Sequence, residues 1–281
     1  DATASFTHNN SKWPGGNISL VLASEADTTG DTCDKAGGDY SGCTGYEWQF
    51  GAMPWDHSTS AYDASGAAVT LDDPIMIEYT YVATDDRDIA NVITSLGGKA
   101  GMTRTDHPSG SDRVFEAVEI IDPDKNISQI LNLQGDLPDL SPDIPHLLGA
   151  ILDQGDTDLA TLVTPASQYE ASLSQVVKAV VSWQDETFGK AIYFSRAAVP
   201  TGTNTLWHHV GVYGWRRDAL ARFVSQPPST LELAEKLEQL RALELGMTIT
   251  VGKIATAPRG IDTAEDLEAA RLGAAAAKRD D

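Results

Sequence analysis

The 281-residue chain holds only two cysteines, Cys33 and Cys43, so no disulfide framework carries the fold and a reducing, cytoplasmic setting is expected. It has no apolar run of membrane-spanning length and no basic-then-apolar leader at its start, so no membrane partner is expected. Basic side chains are scarce: 20 Lys and Arg stand against 41 Asp and Glu, a net charge of −21. A protein that wraps nucleic acid needs a positive surface to displace counterions, which excludes nucleic acid as a partner. A nucleotide substrate survives that exclusion, because a few local cations or Mg²⁺ suffice to hold it. Arginine is missing before Arg87, and residues 1–75 carry Lys12 and Lys35 as their only Lys or Arg.

What is present falls into two unlike parts. Residues 1–75 are rich in Gly, Ser, Thr, Asp and Trp, with one apolar stretch at 18–23 that reads as a strand. They form an atypical N-terminal segment, either the first strand and a divergent loop of the domain that follows, or a separate or unrelated piece. Residues 76–281 are regular. Strand patterns occur at 77–83, 127–133, 160–163, 176–182, 190–194, 208–213 and 247–254, and helical ones at 88–96, 111–121, 144–152 and 217–224. Ser229-Thr-Leu-Glu232 is a capping box, opening a helix with Leu233, Leu237 and Leu240 inward and a stop at Gly246. Thr263 and Asp266 cap a last helix. This alternation predicts an α/β fold, a mainly parallel mixed sheet with helices on both faces.

In such a sheet, ligands bind in the crevice at the carboxyl ends of the strands. The run Asn132-Leu-Gln-Gly-Asp-Leu-Pro138 follows a buried-strand pattern: Gly135 permits close approach of a ligand, and Asp136 suits a divalent cation on a nucleotide phosphate. A plain turn is the alternative. His208 and His209 are adjacent in a strand and face opposite ways, so they are no metal pair, and His209 by itself reads as a half-buried, satisfied histidine. Glu238 is spaced to pair with Arg241, Arg113 reads as a solvated helix residue beside Asp112, and Asp85-Asp86 reads as a turn and helix cap.

Eight polar runs sit where strands end or helices begin: Ala83-Thr-Asp-Asp86, Met102-Thr-Arg-Thr-Asp-His107, Ser109-Gly-Ser-Asp-Arg113, Asn132-Leu-Gln-Gly-Asp136, Tyr193-Phe-Ser-Arg196, His209-Val-Gly-Val-Tyr213, Leu237-Glu-Gln-Leu-Arg241 and Gly260-Ile-Asp-Thr-Ala-Glu-Asp266. In order and spacing, over roughly residues 77–272, this set resembles the 3-deoxy-manno-octulosonate (Kdo) cytidylyltransferases, the CMP-Kdo synthetases of lipopolysaccharide assembly. The resemblance implies a nucleotide-diphospho-sugar transferase (Rossmann-like) fold, a homodimer, Mg²⁺ as cofactor, and CTP and Kdo as substrates. It makes Asp136 and Asp262 the catalytic, metal-holding carboxylates. It assigns Ser109, Gly110, Arg113, Gln134 and Gly135 to the nucleotide, and Arg196, His209, Tyr213, Glu238 and Gln239 to the sugar acid.

One motif departs from the pattern. The family opens with a Pro-Ala-Arg loop that grips the triphosphate with two arginines and a lysine. Here Ser24-Glu-Ala-Asp27 leads on to Lys35, which aligns with the family's lysine as a nucleotide contact, while Glu25 and Asp27 stand where cations belong. Two rivals follow: a non-catalytic nucleotide- or sugar-binding homologue, and a cytidylyltransferase for another acidic sugar. Glu238-Gln239 and His209 favour Kdo over the latter.

Overall fold

In the computed structural model the period-2 segments join into one nine-stranded sheet, and the structure describes residues 19–24, 61–62, 68–69, 79–138, 140–141, 143–203, 205–261 and 263–277. The strands are β1 (Ser19–Ser24), the short pair β2 (Ala61–Tyr62) and β3 (Ala68–Val69), β4 (Tyr79–Thr84), β5 (Ala100–Met102) and β6 (Gln129–Gln134). They continue with β7 (Leu159–Pro165), β8 (Lys178–Trp183), β9 (Phe188–Ser195), β10 (Trp207–Arg216) and β11 (Ile249–Lys253). The helices are α1 (Arg87–Ser95), α2 (Gly110–Ile121), α3 (Asp143–Leu152), α4 (Gln168–Ser172), α5 (Arg217–Val224), α6 (Thr230–Glu235), α7 (Gln239–Glu244) and α8 (Ala264–Ala277). The sheet order is β5-β4-β1-β6-β10-β7-β11-β9-β8, with β2 and β3 paired apart.

The mainly parallel sheet read from the sequence is corrected here. Among the described strands only β4–β5 and β7–β11 pair in parallel, and the other pairings are antiparallel. Strands separated by a helix, such as β4, β5, β6 and β7, do run the same way, as crossover connections require. Two reversed strands separate them: β1 lies between β4 and β6, and β10 between β6 and β7. No helix intervenes between β8 and β9, which pair antiparallel, and β10 also pairs antiparallel with β8. A period of two marks a strand but not its direction.

Side chains on alternate positions sort onto two faces. Ile130, Leu159, Val163, Trp215, Ile249 and Val251 meet α2, α5 and α7, whereas Leu131, Leu133, Ala160, Leu162 and Val212 meet α3. Gly252 lets α3 press onto the sheet, since a Cβ there would stand 2.8 Å from Ile151 Cδ1. The single helix expected over 229–246 is instead broken. Its capping box forms at Ser229 and Glu232, but Lys236 turns left-handed (φ 57°) and splits α6 from α7. Leu237 and Leu240 are buried as expected; Leu233, ahead of the break, is 66% exposed.

Asp122 closes α2 onto β6 and α5. Its carboxylate accepts from the Asn126 and Ile127 amides at 3.1 and 2.8 Å and pairs with Arg217 of α5. Burial by itself would raise this carboxyl's pKa, but the two amides and the guanidinium outweigh it and hold it below the usual aspartate range. A depressed folded-state pKa gives stability that is present at neutral pH and lost as pH falls through that value. Asp122→Asn is therefore expected to cost about 3 kcal/mol at pH 7 in urea unfolding, a gap that narrows below about pH 4. A deficit independent of pH would show that the charge is not what matters.

Candidate active site

Because β4, β5 and β6 run the same way, their carboxyl ends share one edge of the sheet. Asp85, Thr103 and the Gly135-Asp136 turn all lie along it. The Leu137 amide donates to the Gln134 carbonyl at 3.3 Å, so Gly135 and Asp136 occupy the tip of a tight turn with Asp136 exposed. The Ile261 amide donates to the Asp136 carbonyl at 2.9 Å, which brings the chain just before residue 262 alongside this turn. Asp262 itself, like Lys35 and both cysteines, lies outside the described residues. Among the described residues no three His, Cys, Asp or Glu side chains cluster for a metal. The donor chemistry still fits Mg²⁺: Asp136 offers hard oxygen at a strand end beside the 261 segment.

The first turn of α2 overhangs the same edge. Ser109 caps it, accepting from the Asp112 amide at 3.3 Å and donating to the Asp112 carboxylate at 2.5 Å, and Gly110 opens the helix. Arg113 is no solvated helix residue. It is buried, donating to Asp85 at 2.9 Å, to the Thr103 hydroxyl at 2.5 Å and to the Arg104 carbonyl at 3.3 Å. Its guanidinium therefore ties the ends of β4 and β5 to α2, and its buried Nε has no partner among the described residues. Asp86 caps α1 through the Asp88 and Ile89 amides. One turn beyond Arg113, Glu116 grips the same loop through His107 and the Arg104 amide. Burial pushes the Glu116 carboxyl up, but these hydrogen bonds outweigh it and lower its pKa.

Asn132 joins this turn to the next group. Its side chain donates to the Ser111 hydroxyl at 3.4 Å, and it lies opposite Tyr213 in the sheet. His209 and Tyr213 flank a bulge in β10, where Val210 faces Leu162 but Tyr213 already faces Thr161. A bulge leaves carbonyls without ladder partners. The Thr161 hydroxyl answers, donating to the Val212 carbonyl at 2.8 Å. Donor logic then orders the rest. His209 Nε2–H donates to Thr161 Oγ1 (2.9 Å), Gln239 Nε2–H donates to His209 Nδ1 (3.4 Å), and the Tyr213 hydroxyl donates to Gln239 Oε1 (3.2 Å). Each buried group in this chain keeps a partner only while His209 is neutral. Burial enforces that, pushing its pKa down to about 3 with a small contribution from His208, and it pushes the Tyr213 hydroxyl well above its ordinary value.

Glu238 does not pair with Arg241. Its carboxylate accepts the Ser111 amide at 3.2 Å, at the start of α2. Burial raises its pKa against the pull of Ser109 and Ser111, with nearby Asp112 adding to the rise. Arg196 is placed differently from the others: its Nε donates to the Glu235 carbonyl at 2.9 Å and its Nη2 to that of Lys236 at 3.4 Å, so it caps the end of α6. The structure thus brings Ser109, Gly110, Arg113, His209, Tyr213, Glu238 and Gln239 into one contiguous group, with Gln134, Gly135 and Asp136 at its edge. Sequence reasoning missed Asn132, Thr161 and the buried trio of Asp112, Glu232 and Arg241. Asn132, a polar side chain in an otherwise apolar strand run, was the one available signal.

Comparison with known proteins finds cytidylyltransferases similar to this chain. The cytidylyltransferase family model matches residues 70–249. The 3-deoxy-manno-octulosonate cytidylyltransferase of Rhodopseudomonas palustris (strain TIE-1) is 52% identical over 192 residues, covering 68% of this chain and 78% of that protein. Its counterpart from Nitrobacter hamburgensis is 52% identical over 191 residues, covering 68% and 74%. A solved structure of CMP:2-keto-3-deoxy-manno-octonic acid synthetase complexed with CTP superposes with a TM-score of 0.62 at 38% identity, over 69% of this chain and 80% of that one.

Proposed function

Because the chain belongs to the cytidylyltransferase family, we propose that it transfers CMP from CTP to the sugar acid Kdo, releasing pyrophosphate. One observation carries the assignment to this site. The segment expected to meet the nucleotide and the segment expected to meet the sugar acid, 127 residues apart at Ser111 and Glu238, adjoin in the fold. In the reaction the anomeric hydroxyl of Kdo attacks the α-phosphorus of CTP. A sugar O–P bond forms, the bond to the β-phosphate oxygen breaks, and the hydroxyl proton is lost to solvent or base. Such steps depend chiefly on alignment and charge neutralisation.

Within this reading, Ser109, Gly110, Gln134 and Gly135 face the nucleotide, and Arg113 braces the α2 turn that presents them. His209, Tyr213, Glu238 and Gln239 shape the sugar-acid side, the first two and Gln239 as a rigid buried base. Arg196 reaches that side through the α6 corner it caps. Asp136, with Asp262, would hold Mg²⁺, which when bound supplies positive charge to the phosphates. Lys35 is the candidate cation of the N-terminal segment, residues 1–75, and residues 76–281 are the cytidylyltransferase body. A homodimer acting in the cytoplasm in lipopolysaccharide synthesis completes the proposal. Among the described residues no helix is long and apolar enough to cross a membrane.

A second reading rests on the missing arginines before Arg87: a homologue that binds nucleotide or sugar without turnover. Incubation with CTP, Kdo and Mg²⁺ separates the two, and pyrophosphate release is expected. Calorimetric binding of CTP without release would establish the binder, and release with a different sugar acid alone would redirect the substrate.

A further inference from the structure

The site's two halves are joined by a double clasp. On one side stand neighbours in the first turn of α2, Ser111 and Asp112; on the other, residues one helical turn apart, Glu238 and Arg241. The Glu238 carboxylate accepts the Ser111 amide at 3.2 Å, and Arg241 donates to both oxygens of Asp112 at 3.2 and 3.5 Å. Arg241 also forks onto Glu232 of α6 at 2.6 and 2.7 Å and donates to the Gln226 carbonyl at 3.3 Å. Its guanidinium lies 4.1 Å from the centre of the Phe223 ring. All five N–H donors of this buried arginine are used, a pattern no lysine can reproduce. Neither Asp112 nor Arg241 needs to touch a substrate, yet their pairing fixes the nucleotide-facing turn against the residues that begin α7.

We propose that Arg241 is a positioning residue that couples the nucleotide and sugar-acid sites, so that occupancy of one tightens binding at the other. This rests on the cytidylyltransferase reading. A ligand ordering the α2 turn also orders Glu238 and Gln239 through the clasp, and the second ligand then meets a prepared site. The effect is reciprocal by linkage: Kdo tightens the nucleotide by the same factor that the nucleotide tightens Kdo. A purely structural Arg241 would change the folded fraction and leave that factor alone.

The test is calorimetry on the full chain with Mg²⁺, Kdo and a CTP analogue carrying a methylene bridge between the α- and β-phosphorus, which cannot react. For the unmodified protein, saturating Kdo is expected to tighten analogue binding about 5-fold or more. In Arg241→Lys and in Asp112→Asn the factor is expected to fall close to 1, with the analogue alone binding within about 3-fold of the unmodified protein. Asp112→Asn keeps the shape of the site and serves where the lysine variant does not fold. A factor of 1 in the unmodified protein, with both ligands binding, would overturn the coupling and leave the proposed activity standing. Undiminished coupling in the folded variants would overturn the role of Arg241. Failure of the unmodified protein to bind the analogue at all would overturn the cytidylyltransferase reading and the coupling with it.

Discussion

Asp136→Ala is expected to lower pyrophosphate release by about 10²–10³-fold or more while leaving the melting temperature almost unchanged. The two halves of that expectation come from different atoms. The bond that holds the 261 segment in place uses the Asp136 backbone carbonyl, which alanine keeps, so the turn is retained. The side chain is exposed at the tip of the turn, and exposed turn positions contribute little to stability. On the proposed reading, alanine removes an oxygen donor from the nucleotide-facing edge, and with it a means of holding a divalent cation where charge accumulates in phosphoryl transfer. Asp136→Asn keeps an oxygen but not the charge, and falls between the two. Circular dichroism would report the fold and a coupled phosphate assay the turnover. Turnover within about threefold of the unmodified protein would remove Asp136 from the metal site, whatever the fate of Asp262.

The parts of the fold that were legible in the sequence are those governed by local periodicity and capping. Helices α1, α2, α3 and α5, the Ser229 capping box and strands β4, β6 and β7 all follow from spacing that a chain cannot easily satisfy in another conformation. Strand direction was not legible for β1 and β10, because alternation is the same read from either end. The break at Lys236 was hidden too. A left-handed lysine has no sequence signature comparable to glycine, and Leu233 and Leu237 keep helical spacing across it.

At the site, the ordered motifs name residues that the fold brings together, but they do not show what each of them touches. Arg113 and Arg196 carry the charge expected of ligand contacts, but in the fold their guanidiniums are committed to Asp85 and to the end of α6. His209, read by itself as a half-buried, satisfied histidine, is satisfied but buried rather than half-buried, and it also stands within the motif group. The Asp112–Arg241–Glu232 trio was illegible because its members belong to three different local signals: a helix start, a helix end and a capping box. Only the packing of α2 against the α6–α7 corner converts them into one cluster.

That cluster makes Arg241→Ala the substitution with the largest expected cost in stability. Arg241 is 1% exposed, and its partners Asp112 and Glu232 are 5% and 7% exposed. Alanine would strand two carboxylates away from water with no counter-charge, which typically costs about 3–5 kcal/mol. The lost packing against Phe223 and the orphaned Gln226 carbonyl add to the deficit. For a chain of this size that corresponds to a fall in melting temperature of roughly 10 °C. The intact trio need not be worth that much, because bringing three charges out of water offsets much of their attraction. Replacing all three members with apolar side chains of similar volume is accordingly expected to cost less than Arg241→Ala. Urea unfolding followed by tryptophan fluorescence suits the measurement, since buried Trp215 packs 4.9 Å from the Phe223 ring beneath the arginine. A loss below about 1 kcal/mol for Arg241→Ala would mean that water reaches the two carboxylates once the guanidinium is gone, and that the corner between α2 and α7 opens far more readily than its burial implies.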